Sequence, residues 1–303
     1  MKSTCLIVNP IAGRHKGWEL ANLASRALGS ASMKVKVLTP GPGSVSDIAH
    51  CESLKADQVV VIGGDGTVRE AVEGIVRSKR KIPIGIIPAG NTNVIARDLD
   101  IPLNPKGAIE TIHRGDHRHI DLGKANGKPF VAMVGIGFDA QVATLVQAFR
   151  LTRVGRQLHR SCMANIMYGV GILGALGRLD SFSVEMEVDG IRQGKFGSVV
   201  VSNTETYAIG WKATPGASSV DGFLDHHAQR GSARYRSLLC LACIALRKRA
   251  PEFIASYGLG ERYIFKSQKA FPWHLDGDAM PPVPELSLEV LKNHITIVAP
   301  CKM

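Results

Sequence analysis

The residues best suited to chemistry are Gly63-Gly64-Asp65-Gly66-Thr67, set within the stretch QVVVIGGDGTVREAVEGIV at 58–76. Glycines let a backbone approach an anion closely, and the free N–H groups of a following helix favour negative charge. A carboxylate inside such a turn should repel phosphate. Asp65 fits only if it works through Mg²⁺ or through a proton on an attacking group. The chemistry indicated is therefore phosphate binding or transfer. A plain strand-to-helix turn with Thr67 as N-cap is the competing reading, and three glycines around an aspartate count against it.

The flanking elements must aim this turn. Residues 58–62 form a Val/Ile run suited to a buried strand of a parallel sheet, and Val68, Ala71, Val72, Ile75 and Val76 then recur at helical spacing. The same alternation fills the first 100 or so residues. TCLIVN at 4–9 reads as a strand, 18–28 as a helix with Leu20, Leu23 and Ala24 on one side, and 34–38 as a strand ending at Thr39. Ser46 is the expected cap of the next helix. A fourth strand, 84–87, runs into the turn at 88–93. Strands alternating with helices predict a parallel α/β sheet covered on both faces, with functional loops at the carboxyl ends of its strands. Asn9, Thr39, Gly63 to Thr67 and Gly90 to Asn93 all fall at such ends.

Beyond residue 118 the pattern changes to short alternating stretches with Gly/Asp turns, predicting an antiparallel β-sandwich. Separate strands are expected at 261–266 and 271–276, and again at 286–291 and 294–298. Two helical insertions are expected, at about 140–176 and 233–249. The domains are thus read as 1–120 and 121–293. Asp139 is read as fixing a strand-to-helix turn. Cys240 and Cys243 fall in the apolar run LLCLACIAL, which reads as helix core, not a metal pair.

The chain has 303 residues, 45% apolar and 21% charged, with a net charge of +11. This describes an ordinary globular protein with an anionic partner. Few aromatics interleave with the basic clusters, which argues against nucleic acid and for a nucleotide or a membrane surface. No apolar run reaches the roughly 18–20 residues of a spanning helix. The start, MKSTCLIVNP, predicts no secretory signal. Six scattered cysteines suggest reduced thiols and a cytoplasmic setting. Arg150, Arg153, Arg156 and Arg160 fall within about 120° of one helical face, as in helices that lie on anionic bilayers. They are the expected membrane contacts, and peripheral membrane association is the expected location.

Taken in order, Asn9-Pro10-x-x-Gly13, Gly63-Gly-Asp-Gly-Thr67 with Glu70, Pro88-x-Gly90-x-x-Asn93, Gly135-Ile-Gly-Phe-Asp-Ala140 and Asp276-Gly277-Asp278 form a recognisable set. The chain resembles the diacylglycerol kinase catalytic-domain family, on its bacterial lipid kinase side, related to sphingosine and ceramide kinases. The resemblance implies an NAD kinase/diacylglycerol kinase-like α/β domain, to which the last strand, 294–303, returns, and a C-terminal β-sandwich that carries the lipid pocket. It implies an ATP-dependent kinase acting on a lipid hydroxyl, with nucleotide between the domains. Carried over, Asn9, Pro10, Gly13, Thr39, Glu70, Gly90 and Asn93 border ATP. Gly63, Gly64, Gly66 and Thr67 cradle phosphate, and Asp65 stands at the triphosphate and its Mg²⁺. Asp276 is the general base, and Asp221 resembles a structural Mg²⁺ ligand. Val94 stands where many diacylglycerol kinases carry Asp, which draws the segment toward lipid kinases of less settled specificity and counts against diacylglycerol as the substrate. The expected partners are ATP, a lipid, an anionic membrane surface and a second copy of the chain. An NAD kinase-type enzyme with a soluble substrate, or a catalytically weak lipid-binding regulator, are the alternatives.

Overall fold

The β-branched runs of the first third form strands, and the computed structural model carries them in one sheet. It describes residues 3–10, 12, 16–29, 34–39, 45–150, 152, 164–177, 183–207 and 210–301. Two compact units divide the chain: unit 1, Met1–Leu122 with Lys292–Met303, and unit 2, Gly123–Leu291.

In unit 1, β1 (Ser3–Val8) pairs in parallel with β2 (Lys34–Leu38) on one side and β3 (Gln58–Gly63) on the other. Next to β3 lies β4 (Pro83–Pro88), and residues 296–298 of β13 (Asp278–Val298) add a parallel strand beyond it. All six residues of β3 are buried, as an uninterrupted apolar run requires in a covered sheet. From β1 the chain goes outward to β2 and then returns to the far side of β1 as β3. The strand order therefore reverses between β1 and β3, the place where open α/β sheets bind ligands.

The helices of unit 1 are α1 (Gly17–Gly29), α2 (Val45–Ser53), α3 (Asp65–Ser78), α4 (Val94–Asp98) and α5 (Pro105–Arg114). Two sequence expectations are corrected here. Ser46 lies inside the first turn of α2, which starts at Val45, so it is not the cap. On α1 the buried residues are Gly17, Ala21, Ala24 and Leu28, while Leu23 is exposed. The stripe follows the small residues because they let the helix backbone approach the sheet.

Unit 2 holds β6 (Lys128–Phe130), β7 (Met133–Gly137), β8 (Val184–Val188), β9 (Ile191–Ser202), β10 (Leu224–Arg230), β11 (Ala255–Gly260) and β12 (Arg262–Leu275). The connecting strand β5 spans His117–Ala125. Two long strands organise the unit. One end of β9 pairs with β8 and the other with β7 and β10, and β12 likewise pairs with β8 at one end and β7 at the other. These pairings are all antiparallel and enclose a core that includes Phe130, Phe196, Tyr263, Phe265 and Phe271. The strands expected at 261–266 and 271–276 are one strand, β12, whose register shifts between Lys266 and Phe271. Those expected at 286–291 and 294–298 are likewise the single strand β13. Polar residues in the middle of each read as turns, but the backbone stays extended past them, with an irregular register in β12. Three helices complete the unit: α6 (Phe138–Arg150), α7 (Ala164–Gly177) and α8 (Arg234–Ala245).

Candidate functional site

The carboxyl ends of β1, β3 and β4 gather the glycine turns of unit 1. Asn9 follows β1 directly; its backbone N–H donates to the Ile62 carbonyl at 3.0 Å, and its Nδ2 donates to Thr67 Oγ1 at 3.2 Å. Asn9 thus ties the end of one strand to the first turn of α3. Gly64, which has no side chain to cap with, is the N-cap of α3, and the first amides of a helix favour an anion placed before them. The turn at 88–93 closes on itself, because Asn93 Oδ1 accepts from Gly90 N–H at 2.8 Å and Asn93 Nδ2 donates to the Gly90 carbonyl at 2.9 Å. Asn93 takes a left-handed φ of 48°, which asparagine tolerates better than most residues. The two turns touch: a Cβ on Gly90 would lie 2.6 Å from Gly64 Cα. Ala89 N–H also donates to the Gly63 carbonyl at 2.8 Å.

Asp65 links the same turns. Its carboxylate accepts from Thr92 Oγ1 at 2.9 Å and from Ile95 N–H at 3.3 Å. Burial raises its carboxyl above the usual aspartate range, and the Thr92 hydroxyl and nearby backbone amides hold it back. Glu70 accepts from the Val45 N–H at 3.2 Å and so pins the start of α2. Pro10 and Thr39 follow β1 and β2, and Gly66 lies in the first turn of α3. Gly13 falls outside the described residues, as do Arg153, Arg156 and Arg160 and the side chain of Arg150.

In unit 2, Asp276 sits in the tight turn after β12 with φ 49°. Its carboxylate accepts from three successive backbone amides, Val131, Ala132 and Met133, at 2.8–2.9 Å. These donors fix it as an oriented anion. Asp221 accepts from Phe223 N–H at 3.0 Å in a short turn. Close by, Asp225 has its carboxyl pushed up to about 6 by burial and by the charge of Asp221.

The sequence left several partners of this region unseen. His274, two residues before Asp276, places Nε2 2.5 Å from Asp139 Oδ2, and the Tyr207 hydroxyl donates to Asp139 Oδ1. His274 Nδ1 accepts from Gly277 N–H at 3.2 Å, so Nε2 carries the proton given to Asp139. Gly135 is required beside this pair, because any Cβ there would collide with Asp139 Oδ2 and His274 Nε2. Asp139 also lines a cavity, with Phe138, Val142, Ile172, Leu241 and Ile244 among its apolar walls. Residue 139 is 135 positions from its histidine; no local spacing could have announced the pair.

A family model described as the diacylglycerol kinase catalytic domain matches residues 3–125. A second, described as a YegS C-terminal NAD kinase beta sandwich-like domain, matches 132–299. A diacylglycerol kinase of Bacillus subtilis is 29% identical over 251 residues, covering 82% of this chain and 80% of its own. One from Staphylococcus carnosus is 25% identical over 304 residues, covering 99% and 95%. The crystal structure of a diacylglycerol kinase from Bacillus anthracis shares the fold, with a TM-score of 0.75 at 21% identity over 99% of this chain and 97% of that one. A catalytic domain and sandwich of this kind define a kinase that phosphorylates an alcohol, with ATP as co-substrate. The chain belongs to the diacylglycerol kinase catalytic-domain family, and at that level it is a lipid kinase.

Proposed function

We propose that the protein transfers the γ-phosphate of Mg²⁺-bound ATP to a lipid hydroxyl at the surface of an anionic membrane. The observation that supports it most is the cavity of unit 2. Its walls are mostly apolar, yet it reaches Asp139, which is bonded to His274 beside the Asp276 turn. A hydrocarbon chain suits those walls, and an alcohol suits the polar end.

In this reading the turns at 63–67 and 88–93 hold the phosphates, with Asn9 and Thr67 bracing the first of them. Asp65 keeps the two turns in register. Asp276 orients the attacking hydroxyl and takes its proton as the new P–O bond forms and the bond to ADP breaks. Phosphoryl transfer asks mainly for positioning and charge neutralisation, which suits a carboxylate held rigid by three amides.

Among the described residues no group of three or more His, Cys, Asp or Glu is placed to hold a metal. Asp221 and Asp225 nevertheless fit a hard cation, since two neighbouring carboxylates, one with its acidity suppressed by burial and then by the other's charge, are the oxygen donors Mg²⁺ prefers. With neighbouring carbonyls they would hold a structural ion, which supplies positive charge and rigidity.

Membrane contact is assigned to α7 and α8 as well as to the arginines at 150–160. Ile166, Val170 and Leu173 recur on one face of α7 and are 44%, 45% and 72% exposed. Leu238 and Leu239 are exposed on α8, which is flanked by Arg234, Arg236, Arg247, Lys248 and Arg249. Apolar residues rimmed by cations suit an anionic bilayer. Among the described residues no helix is long and apolar enough to cross one.

The test is phosphate transfer from labelled ATP to a panel of diacylglycerol, monoacylglycerol, sphingosine, ceramide and phosphatidylglycerol in anionic vesicles, with NAD as the soluble control. Labelled lipid that depends on Asp276 supports the proposal. Labelled NAD with no labelled lipid overturns it.

A further inference from the structure

Strand β7 runs between β9 and β12 and pairs antiparallel with both. The ladders end at Met133 with Ser202 on one side and at Val134 with Leu275 on the other. One residue further along each flanking strand stand Asn203 and Asp276. The topology therefore brings these two side chains to opposite sides of Val131-Ala132-Met133, the segment that leads into β7. All three residues of that segment are buried, so its backbone groups must find their partners inside the protein.

Asp276 takes the N–H groups: Val131 donates to Oδ2, and Ala132 and Met133 donate to Oδ1. Asn203 takes the carbonyls behind two of them. Its Nδ2 donates to the Val131 carbonyl at 2.9 Å, and its backbone N–H donates to the Ala132 carbonyl at 2.8 Å. A carbonyl oxygen only accepts, so the side-chain atom facing Val131 is the amide nitrogen. The Val131 carbonyl and the Ala132 N–H belong to one planar peptide unit, as do the Ala132 carbonyl and the Met133 N–H. Both peptide units that donate to Asp276 Oδ1 therefore accept from Asn203 at their other end. Hydrogen bonds at the two ends of one amide polarise each other, and each is strengthened. Planarity adds a geometric constraint, because a peptide unit held at its oxygen cannot swing its N–H away.

We infer that Asn203 is a positioning residue for phosphate transfer, gripping from behind the two peptide units that orient Asp276 Oδ1. With 0% of its surface exposed, it acts through the Ala132 and Met133 amides and not on the substrate. The backbone half of the grip continues the β7–β9 ladder, and any residue but proline at 203 would supply it. The Nδ2 half needs a side chain with a donor at that reach. No local pattern marks it, since Asn203 is 72 positions from Val131. The inference rests on the reading of Asp276 as the group that takes the proton of the lipid hydroxyl. Alignment of a base counts only as the proton moves, so misaligning it costs turnover and leaves substrate affinity alone. Loss of the Nδ2 bond should therefore appear in kcat and hardly in KM.

The test compares Asn203→Leu, which keeps the side-chain volume but has no donor, with Tyr263→Phe. Tyr263 is equally buried in unit 2, and its hydroxyl donates to the Leu224 carbonyl at 2.7 Å. The control thus loses a comparable bond, to a carbonyl that does not hold Asp276. Kinetics are measured with labelled ATP on whichever of diacylglycerol, monoacylglycerol, sphingosine, ceramide and phosphatidylglycerol the wild type labels in anionic vesicles. Asn203→Leu should lose kcat about tenfold or more per folded molecule, with both KM values within about twofold. Tyr263→Phe should keep kcat within about twofold. Asn203→Ser, whose hydroxyl is too short to reach the Val131 carbonyl, carries the same expectation and serves if Asn203→Leu does not fold. Amide proton resonances read the grip with no substrate present. That of Ala132 should move upfield in either 203 variant and stay in place in Tyr263→Phe. A folded 203 variant whose kcat falls no further than that of Tyr263→Phe overturns the inference. An unmoved Ala132 resonance beside intact wild-type transfer overturns it too, and leaves the kinase standing. A wild type that labels no lipid overturns the kinase reading, and the inference with it.

Discussion

His274 Nε2 lies 2.5 Å from Asp139 Oδ2, and both residues are buried, at 3% and 7% exposure. The bond joins the end of β12 to the first turn of α6, so it sets where the Asp276 turn begins. Asp139→Asn keeps the shape but replaces one acceptor oxygen with an amide donor. Either Tyr207 or His274 then loses its acceptor, which costs about 1–3 kcal/mol for a buried group. The melting temperature should fall by roughly 2–10 °C on the scaling for a chain of this size. Lipid turnover should drop more than tenfold while the KM for ATP stays within about twofold, since Asp139 belongs to unit 2. An unchanged melting temperature with unchanged turnover would remove the pair from any positioning role.

Asp276 offers a sharper separation of structure from chemistry. Three backbone amides converge on its carboxylate. Asp276→Asn turns an amide nitrogen toward one of those donors, so the turn should loosen by about 1–3 kcal/mol. The loss of turnover should be far larger, at least about a hundredfold, after correction for the folded fraction. Calorimetry beside a lipid kinase assay checks both. If activity falls only in proportion to unfolded protein, Asp276 is a structural residue and the proton has another acceptor.

Much of this was legible in the chain and some was not, for physical reasons. The turns at 63–67 and 88–93 are local, so their glycines and the strands before them could be read directly. Asp276 was marked by a neighbouring glycine and by resemblance, but its three amide donors come from residues more than 140 positions away. Tyr207 and His274 carry no motif at all. They matter through tertiary neighbours, and a single sequence does not encode those as spacing. Ser46 and the face of α1 were misread because capping and amphipathic patterns are weak where small residues do the packing. Strands β12 and β13 were cut in two because their polar middles look like turns, while the register shift within β12 is accommodated without ending the strand.

Gly90 tests the phosphate turns without touching a charge. A Cβ there would lie 2.6 Å from Gly64 Cα and 2.7 Å from Asn93 Oδ1, so Gly90→Ala must push the two turns apart. Misplacing phosphate-binding amides by a fraction of an ångström should raise the KM for ATP about tenfold or more. The KM for lipid should change little. Gly29→Ala, at the end of α1 with open space around its Cα, is the matched control and should leave ATP kinetics unchanged. Equal behaviour of the two variants would place ATP away from these turns.

The carboxylates at 221 and 225 give a prediction that needs no substrate. Asp225 is pushed up to about 6, with Asp221 a cause second only to burial, so the two charges repel in the folded chain. A divalent cation bound between them relieves that repulsion and favours the folded state, which binds it better than the unfolded chain does. Adding millimolar Mg²⁺ at pH 7.5 should raise the melting temperature, and Asp221→Asn should abolish most of that rise. The same substitution without Mg²⁺ should be neutral or slightly stabilising, because it deletes one of two repelling charges. Chelator-treated protein whose melting temperature ignores Mg²⁺, in wild type and variant alike, would show that these carboxylates hold no ion. The pairing of gain with metal and relief without it separates an ion site from an ordinary Asp-Gly turn, which would respond to neither.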